Sequence, residues 1–239
     1  MVRTVGKLRL DGLRAVVFDM DDTLLNWRQA EHAAIGQLAL LHFAAHGIPE
    51  SRVREVYDAV MAENFAAWKA KRQWWYITDR LKLLLQRLKA EDRIAVEPLA
   101  ATFTREANAR LAFLEGAENA LSACRAAGYK TALLTNGRGE VQRPKVFAFG
   151  LHDRVDFVGI TGEMGAWKPE PEAFRKVLAA LGVSAPHALM VGDNLDFDII
   201  PAKALGFQTA WVDPAGGTHP DADVVIKTPG ELVAHLRTP

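Results

Sequence analysis

The apolar positions of this chain follow two patterns that predict different elements. Residues 15–18 form a continuous apolar run of the length of a buried strand, and the run stops at Asp19. Beyond Leu24 the apolar residues recur at three- and four-residue spacing, which is typical of amphipathic helices. One helix is expected over about 28–46, ending at Gly47, and three more contain 53–68, 77–88 and 99–114. Four such helices in series predict a small bundle.

From residue 129 the pattern changes to short apolar strands that alternate with helices. Strands are predicted at 131–134, 155–160, 188–191, 208–212 and 223–226, and helices at about 139–149, 171–181 and 196–205. This alternation predicts a parallel sheet with helices on both faces. The expected fold class is therefore α/β, with a core formed by 1–25 and 115–239 and an inserted helical bundle at 26–114.

Composition and charge narrow the class of function. The 239 residues are 49% hydrophobic and 24% charged, as in globular proteins, and the formal net charge is zero. We therefore expect no general attraction to nucleic acid polymers or to membranes. A single cysteine excludes an intrachain disulfide and a Cys-rich zinc site. No stretch is typical of a signal peptide or a membrane span, so a cytoplasmic location is expected; nothing predicts an oligomeric state.

Polar residues suited to phosphate chemistry follow three of the predicted strands. They are Asp19 and Asp21 after the first strand, Thr135 and Asn136 after the second, and Asp193 and Asp198 after the strand at 188–191. The carboxyl ends of parallel strands share one edge of the sheet, where open α/β sheets bind their ligands. Clustered carboxylates repel one another, and a hard cation such as Mg²⁺ offsets that repulsion.

Hydrolysis of a phosphate ester needs a nucleophile, positive charge around the phosphoryl oxygens and an acid for the leaving alkoxide. An aspartate can act as the nucleophile and pass through an aspartyl-phosphate. Lys168 lies in a loop stiffened by Pro169 and Pro171 and offers the positive charge. Taken alone, the first acidic segment could also be an ordinary turn after a strand.

These segments together resemble the haloacid dehalogenase (HAD) superfamily of hydrolases. The four motifs of that family are matched in order by Asp19-Met20-Asp21-Asp22-Thr23, by Thr135, by Lys168 and by 192–198. The resemblance implies a Rossmann-like core, with the helical insertion as an α-helical cap. It also implies the phosphatase branch, because the dehalogenase branch lacks the second aspartate and the phosphonate-cleaving branch alters it.

The resemblance implies a role for each residue that meets the substrate. Asp19 is the expected nucleophile, and Asp21 the general acid that later acts as general base. Thr135 and the Asn136 amide are expected to bind the phosphoryl group. Lys168 is expected to neutralise charge on both nucleophile and phosphate.

The resemblance also implies a Mg²⁺ site formed by Asp19, Asp21 through its carbonyl, and Asp193, with Asp198 in support. We expect a Mg²⁺-dependent phosphatase that hydrolyses a small phosphorylated metabolite through an aspartyl-phosphate. Two alternatives stay open: a phosphoryl transferase such as a sugar phosphomutase, and a non-catalytic protein that binds metal and phosphate.

The predicted bundle carries a dense aromatic and basic cluster. Its members are Trp68, Lys71, Arg72, Trp74, Trp75 and Tyr76. It could form a wall for a ring or sugar together with cations for an anionic substrate. It could equally be bundle core followed by a solvated charged turn, because Trp68 continues an apolar stripe.

Overall fold

The structure, a computed structural model, describes residues 8–71 and 75–236, with no side chains described for 69–71. The chain divides into two compact units. One is Trp27–Leu111, and the other combines the residues up to Asn26 with those from Ala112 onward.

The second of these units contains a six-stranded sheet in which every strand pair is parallel. Its strands are β1 (Ala15–Phe18), β2 (Lys130–Thr135), β3 (Phe157–Ile160), β4 (Ala188–Gly192), β5 (Gln208–Val212) and β6 (Val224–Ile226). The order across the sheet is β3-β2-β1-β4-β5-β6. The predicted α/β class with a Rossmann-like parallel sheet is therefore confirmed.

The candidate site residues lie at the ends of three adjacent strands, β2, β1 and β4. All four residues of β1 are completely buried, because helices cover both faces of a parallel sheet. Phe18 pairs with Leu133 of β2 on one side and with Val191 of β4 on the other. The residues that follow β1, β2 and β4 are therefore neighbours at one edge of the sheet.

The unit Trp27–Leu111 is helical. Its α-helices are α1 (Trp27–Leu38), α2 (Glu50–Lys71), α3 (Ile77–Leu88) and α4 (Val96–Asn108). Helix α1 packs against α4, and α2 packs against α3, around buried residues such as Leu38, Leu84 and Phe103. The apolar stripes predicted from the sequence form this core, except that α4 ends at Asn108, so the predicted continuation of this helix to Leu114 is wrong.

The first helix of this unit is less regular than its spacing predicts. After Leu38 the chain forms a π-helical turn over Ala39–Phe43 and a 3₁₀ turn over Ala44–His46. It ends at Gly47, as predicted, with φ near +72°, a conformation that glycine adopts without steric cost.

The remaining helices belong to the unit with the sheet. They are α5 (Ala117–Ala126), α6 (Gly139–Ala148), α7 (Leu151–Arg154), α8 (Thr161–Met164), α9 (Pro171–Leu181), α10 (Ile200–Ala204) and α11 (Leu232–Leu236). Helix α9 covers one face of the sheet, where Phe174 and Val177 pack with Val17 of β1. None of the helices among the described residues is long and apolar enough to cross a membrane.

The segment predicted as one helix over 196–205 is in fact two. A π-helical turn, Leu195–Ile199, precedes α10. The side chain of Asn194 accepts hydrogen bonds from the N–H groups of Asp196 and Phe197, which starts this turn. Pro201 has no N–H to donate to a preceding carbonyl, so it is accommodated in the first turn of α10, and the α-helical hydrogen-bond pattern does not extend back through it.

Candidate active site

Three carboxylates meet at the carboxyl edge of the sheet. Asp19 directly follows β1, Asp193 directly follows β4, and Asp198 lies in the π-helical turn beyond it. One carboxylate oxygen from each lies within 4.8 Å of the others. The main-chain N–H of Asp19 donates to the carbonyl of Val191 at 2.9 Å, which fixes the end of β1 beside the end of β4.

Lys168 lies between two of these carboxylates. Its Nζ donates to Asp19 Oδ1 and to Asp198 Oδ1, both at 2.6 Å, and only 2% of its side chain is exposed. A buried ammonium is tolerated when carboxylates pair with it in this way. Burial alone would lower the pKa of Lys168, but the charges of Asp19 and Asp198 raise it, and the net direction is upward.

The pKa of Asp19 is also raised, which for a carboxyl group favours the neutral form. Burial raises the pKa of Asp19 to about 7 from its ordinary 3.8, and although the ammonium of Lys168 lowers the pKa, the charge of Asp198 raises it further. A second positive charge at this place would favour the ionised form of Asp19.

The donor set fits a hard divalent cation such as Mg²⁺. The three clustered side chains offer only oxygen ligands, which suit Mg²⁺ far better than a soft metal. Lys168 balances only part of their negative charge. The residues predicted to bind the metal are thus brought together by the fold, with the main chain of Asp21 two residues beyond Asp19.

Gly192 makes room for Asp198. A Cβ at residue 192 would lie 2.5 Å from Asp198 Oδ2 and 2.6 Å from its Cγ, closer than any real contact. The N–H of Asn194 donates to the same carboxylate oxygen at 3.2 Å. A side chain at position 192 would displace the carboxylate that holds Lys168.

Asn136 has a second task that the sequence did not indicate. Its Nδ2 donates to the carbonyl of Lys168 at 3.0 Å, and its Oδ1 accepts the N–H of Lys168 at 2.9 Å. This reciprocal pair ties the end of β2 to the loop that carries the lysine. The side chain of Asn136 is engaged there, so the main-chain N–H is the group left to serve the predicted phosphate role.

Two residues of α6 that sequence reasoning did not single out reach the site. Gln142 Nε2 donates to Thr135 Oγ1 at 2.7 Å, to Asp21 Oδ2 at 2.9 Å and to the carbonyl of Asn136 at 3.0 Å. Lys145 Nζ donates to both carboxylate oxygens of Asp21 at 2.9 Å. Their i,i+3 spacing in the helix after Thr135, which places both on one helical face, is the signal that could have found them.

Trp211 is a third contributor that the sequence did not reveal. It pairs with Gly192 across β4 and β5, and its indole Nε1 donates to the carbonyl of Asp193 at 2.8 Å. The bond holds the main chain at the residue expected to bind the metal.

The aromatic cluster of the helical unit is only partly described. Trp68 is 7% exposed and lies beside Phe65, with ring centroids 6.3 Å apart, as expected of a packing residue. The main-chain N–H of Trp75 donates to Asn64 Oδ1 at 2.8 Å. Arg72 and Trp74 lie outside the described residues.

The family is established by comparison with known proteins. The family description of haloacid dehalogenase-like hydrolases matches residues 13–206. The chain belongs to this family, and the identification made from the four motifs is confirmed.

Individual relatives support the same identification. The phosphoserine phosphatase of Thermus thermophilus is 42% identical over 115 residues, which span 48% of this chain and 46% of that enzyme. The glyceraldehyde 3-phosphate phosphatase of Pyrococcus abyssi is 29% identical over 83% of this chain and 81% of its own length. The magnesium-bound crystal structure of YfnB from Bacillus subtilis superposes with a TM-score of 0.78, at 23% identity over 95% of this chain and 99% of that one. At this identity the superposition shows the shared fold.

Proposed function

We propose that this chain is a Mg²⁺-dependent phosphatase that hydrolyses small phosphomonoesters through an aspartyl-phosphate on Asp19. The observation that carries the proposal is the environment of Asp19. Its carboxylate lies against the ammonium of Lys168 and within a cluster of oxygen ligands. The ammonium of Lys168, together with a cation held by these oxygen ligands, would offset the repulsion between the carboxylate of Asp19 and an anionic phosphoryl group.

In the first step a carboxylate oxygen of Asp19 forms a bond to phosphorus. The bond from phosphorus to the ester oxygen breaks, and the leaving alkoxide takes a proton from Asp21. Lys168, the hydroxyl of Thr135 and the main-chain N–H of Asn136 stabilise the charge that develops on the phosphoryl oxygens.

In the second step a water oxygen forms a bond to phosphorus. The water gives a proton to Asp21, the bond between Asp19 and phosphorus breaks, and inorganic phosphate leaves. Asp21 thus ends the cycle with the proton that it began with. A Mg²⁺ ion bound by Asp19, Asp193 and the Asp21 carbonyl would offset the negative charge of phosphate and carboxylates, with Asp198 in support.

The relatives support the substrate class that we propose. Those named above are phosphatases of phosphoserine and of glyceraldehyde 3-phosphate, two small phosphomonoesters. YfnB, whose fold is shared, binds magnesium. A small phosphorylated metabolite in the cytoplasm is therefore the substrate class that we propose for this chain.

We also propose that the helical unit is the cap that selects the leaving group. It is inserted directly after the loop that carries Asp19 and Asp21. The two chain segments that lead to it are tied together within the sheet-bearing unit, where Asn26 Oδ1 accepts the N–H of Ala112 at 2.7 Å and Leu24 accepts that of Leu114 at 2.8 Å.

The experiment that tests the function is a panel of nucleoside monophosphates, sugar phosphates and small acid phosphates. Release of inorganic phosphate is measured with Mg²⁺ and with EDTA. We expect release that depends on Mg²⁺. If a labelled sugar phosphate instead passes its phosphate to another position with no release, the protein is a transferase. If the protein binds Mg²⁺ and turns over no compound, the catalytic proposal is wrong.

A further inference from the structure

Two side chains of α6, Gln142 and Lys145, donate hydrogen bonds to the carboxylate of Asp21. The proposed mechanism gives neither of them a role. Lys145 is buried, with 3% of its side chain exposed, whereas the Asp21 side chain is 23% exposed. The ammonium lies 2.9 Å from each oxygen of that carboxylate. The ammonium therefore attracts the carboxylate group as a whole rather than one of its oxygens.

Gln142 adds a second constraint from the same helix. Its amide nitrogen has two N–H bonds for three acceptors, namely Asp21 Oδ2, Thr135 Oγ1 and the carbonyl of Asn136. The nitrogen rather than Oε1 must face this group, since the carboxylate and the carbonyl are acceptors only. One amide group therefore sets the distance between Asp21 and the residue expected to bind the phosphoryl group.

The backbone is shaped to admit this glutamine. Gly137 has φ near +150°, and a Cβ there would lie 2.6 Å from Cγ of Gln142. Any other residue at 137 would push the amide away from Asp21 and Thr135.

The two carboxylate oxygens of Asp21 accept different numbers of hydrogen bonds from the described side chains. Oδ2 accepts from Gln142 and Lys145, whereas Oδ1 accepts from Lys145 alone among the side chains that the structure describes. An ionised carboxylate oxygen has two lone pairs. Oδ1 therefore keeps one for a transferred proton.

We propose that Lys145 and Gln142 are positioning residues that hold Asp21 so that its Oδ1 exchanges the proton with the leaving oxygen and then with water. The inference rests on the proposed phosphatase function and extends it to two residues to which that function had assigned no role. Lys145 and Gln142 act through Asp21 by geometry. The proton balance of the two steps is unchanged.

The test compares two substrates of nearly the same shape, phenyl phosphate and p-nitrophenyl phosphate, in Mg²⁺. Phenolate resembles the tyrosine side chain, with a pKa of about 10, and needs a proton as it leaves. p-Nitrophenolate is a far weaker base and leaves unprotonated. The value of kcat/KM reports the first phosphoryl transfer, so the ratio of kcat/KM for the two substrates measures proton donation by Asp21.

We expect Lys145→Met to lower kcat/KM for phenyl phosphate by about tenfold or more, and for p-nitrophenyl phosphate by much less, because proton donation contributes about 10²–10⁴-fold. Gln142→Leu should change the ratio in the same direction. Lys145→Arg, which keeps the donors, should recover part of it. The matched control is Lys203→Met, which removes the 2.5 Å ion pair to Asp223 elsewhere in the same unit and should leave the ratio unchanged.

A double-mutant cycle completes the test. In the Asp21→Asn background, Lys145→Met should cause no further selective loss, because the residue through which it acts is gone. Equal losses on both substrates, or losses that add in the double variant, would overturn the inference and leave Lys145 a structural residue. If Lys145→Met fails to fold, Gln142→Leu and Lys145→Arg decide by the same ratio. If the wild-type protein hydrolyses neither aryl phosphate, the same double-mutant cycle is measured on the best substrate of the panel, where Lys145→Met should lower kcat/KM only while Asp21 is present. If no compound of the panel is hydrolysed either, the phosphatase function itself is refuted and the inference falls with it.

Discussion

At the scale of single residues, the site is an arrangement of buried charges that need one another. Lys168 is enclosed with Asp19 and Asp198, and each of these groups would be costly to bury alone. Such a group loses function and stability together when one member is removed. This coupling gives two predictions.

The first prediction concerns Lys168→Met. Loss of the ammonium removes charge stabilisation from the phosphoryl group, so kcat should fall by about a hundredfold or more. It also leaves two buried carboxylates without a cationic partner, which should cost about 3–5 kcal/mol of unfolding free energy. Steady-state kinetics and urea unfolding measure the two effects. Lys176→Met, which removes an exposed lysine bound to the carbonyl of Met164, is the control. Retention of wild-type kcat in Lys168→Met would remove the lysine from the mechanism.

The second prediction concerns pH and the metal-free protein. Because burial raises the pKa of Asp19 from 3.8 to about 7, the native state keeps a proton between these values that the unfolded chain loses. The stability that this adds is full below about pH 4 and is lost as pH rises through about 7. In EDTA, the unfolding free energy of the wild type should therefore fall relative to that of Asp19→Asn as pH rises through this range.

Mg²⁺ should reduce that decline, because the cation favours the ionised carboxylate. A difference between wild type and Asp19→Asn that does not change with pH would contradict the assigned environment of Asp19.

At the scale of elements, most strands and helices can be predicted from the sequence because local residue patterns determine them. The apolar runs after residue 129 predict the buried strands, and the glycines and prolines predict where helices such as α9 begin and end. The π-helical turns after Leu38 and Asn194 escaped prediction, since helical spacing does not distinguish a π turn from an α turn. The short helices α7 and α8 have too few residues to show a period.

The residues of the candidate site also fall into two groups, those that the sequence predicts and those that it does not. The residues that follow strands are visible in the sequence because an apolar run ends on them. For Gln142 and Lys145 the sequence shows only that they share a helical face, and for Trp211 it shows no signal, since what makes these residues functional is contact with residues that the fold brings near. Trp211 reads as an ordinary strand residue until β5 is placed beside β4.

A third prediction tests the contribution of β5. Trp211→Phe keeps an aromatic ring but removes the N–H that donates to the carbonyl of Asp193. The Mg²⁺ concentration for half-maximal activity should rise about tenfold, the lower end of the range for residues that orient metal ligands, while kcat at saturating Mg²⁺ changes little. An unchanged Mg²⁺ requirement would show that the indole serves packing alone.

At the scale of the whole molecule, metal binding and stability should be linked. An ion that binds the native state alone stabilises it by about 2.7 kcal/mol at a hundred times its Kd. Mg²⁺ should therefore raise the melting temperature of the wild type. It should raise that of Asp193→Asn much less at the same concentration, because one oxygen ligand is weakened. Equal shifts in both proteins would place the bound Mg²⁺ elsewhere.

Whether Asp19 is the nucleophile is decided by phosphate release from p-nitrophenyl phosphate, measured for the wild type and Asp19→Asn, each with Mg²⁺ and with EDTA. Circular dichroism confirms that both proteins are folded. We expect release by the wild type in Mg²⁺ only, and none by Asp19→Asn under either condition. Substantial Mg²⁺-dependent release by a folded Asp19→Asn would contradict this role of Asp19, because hydrolysis would then proceed without the aspartyl-phosphate.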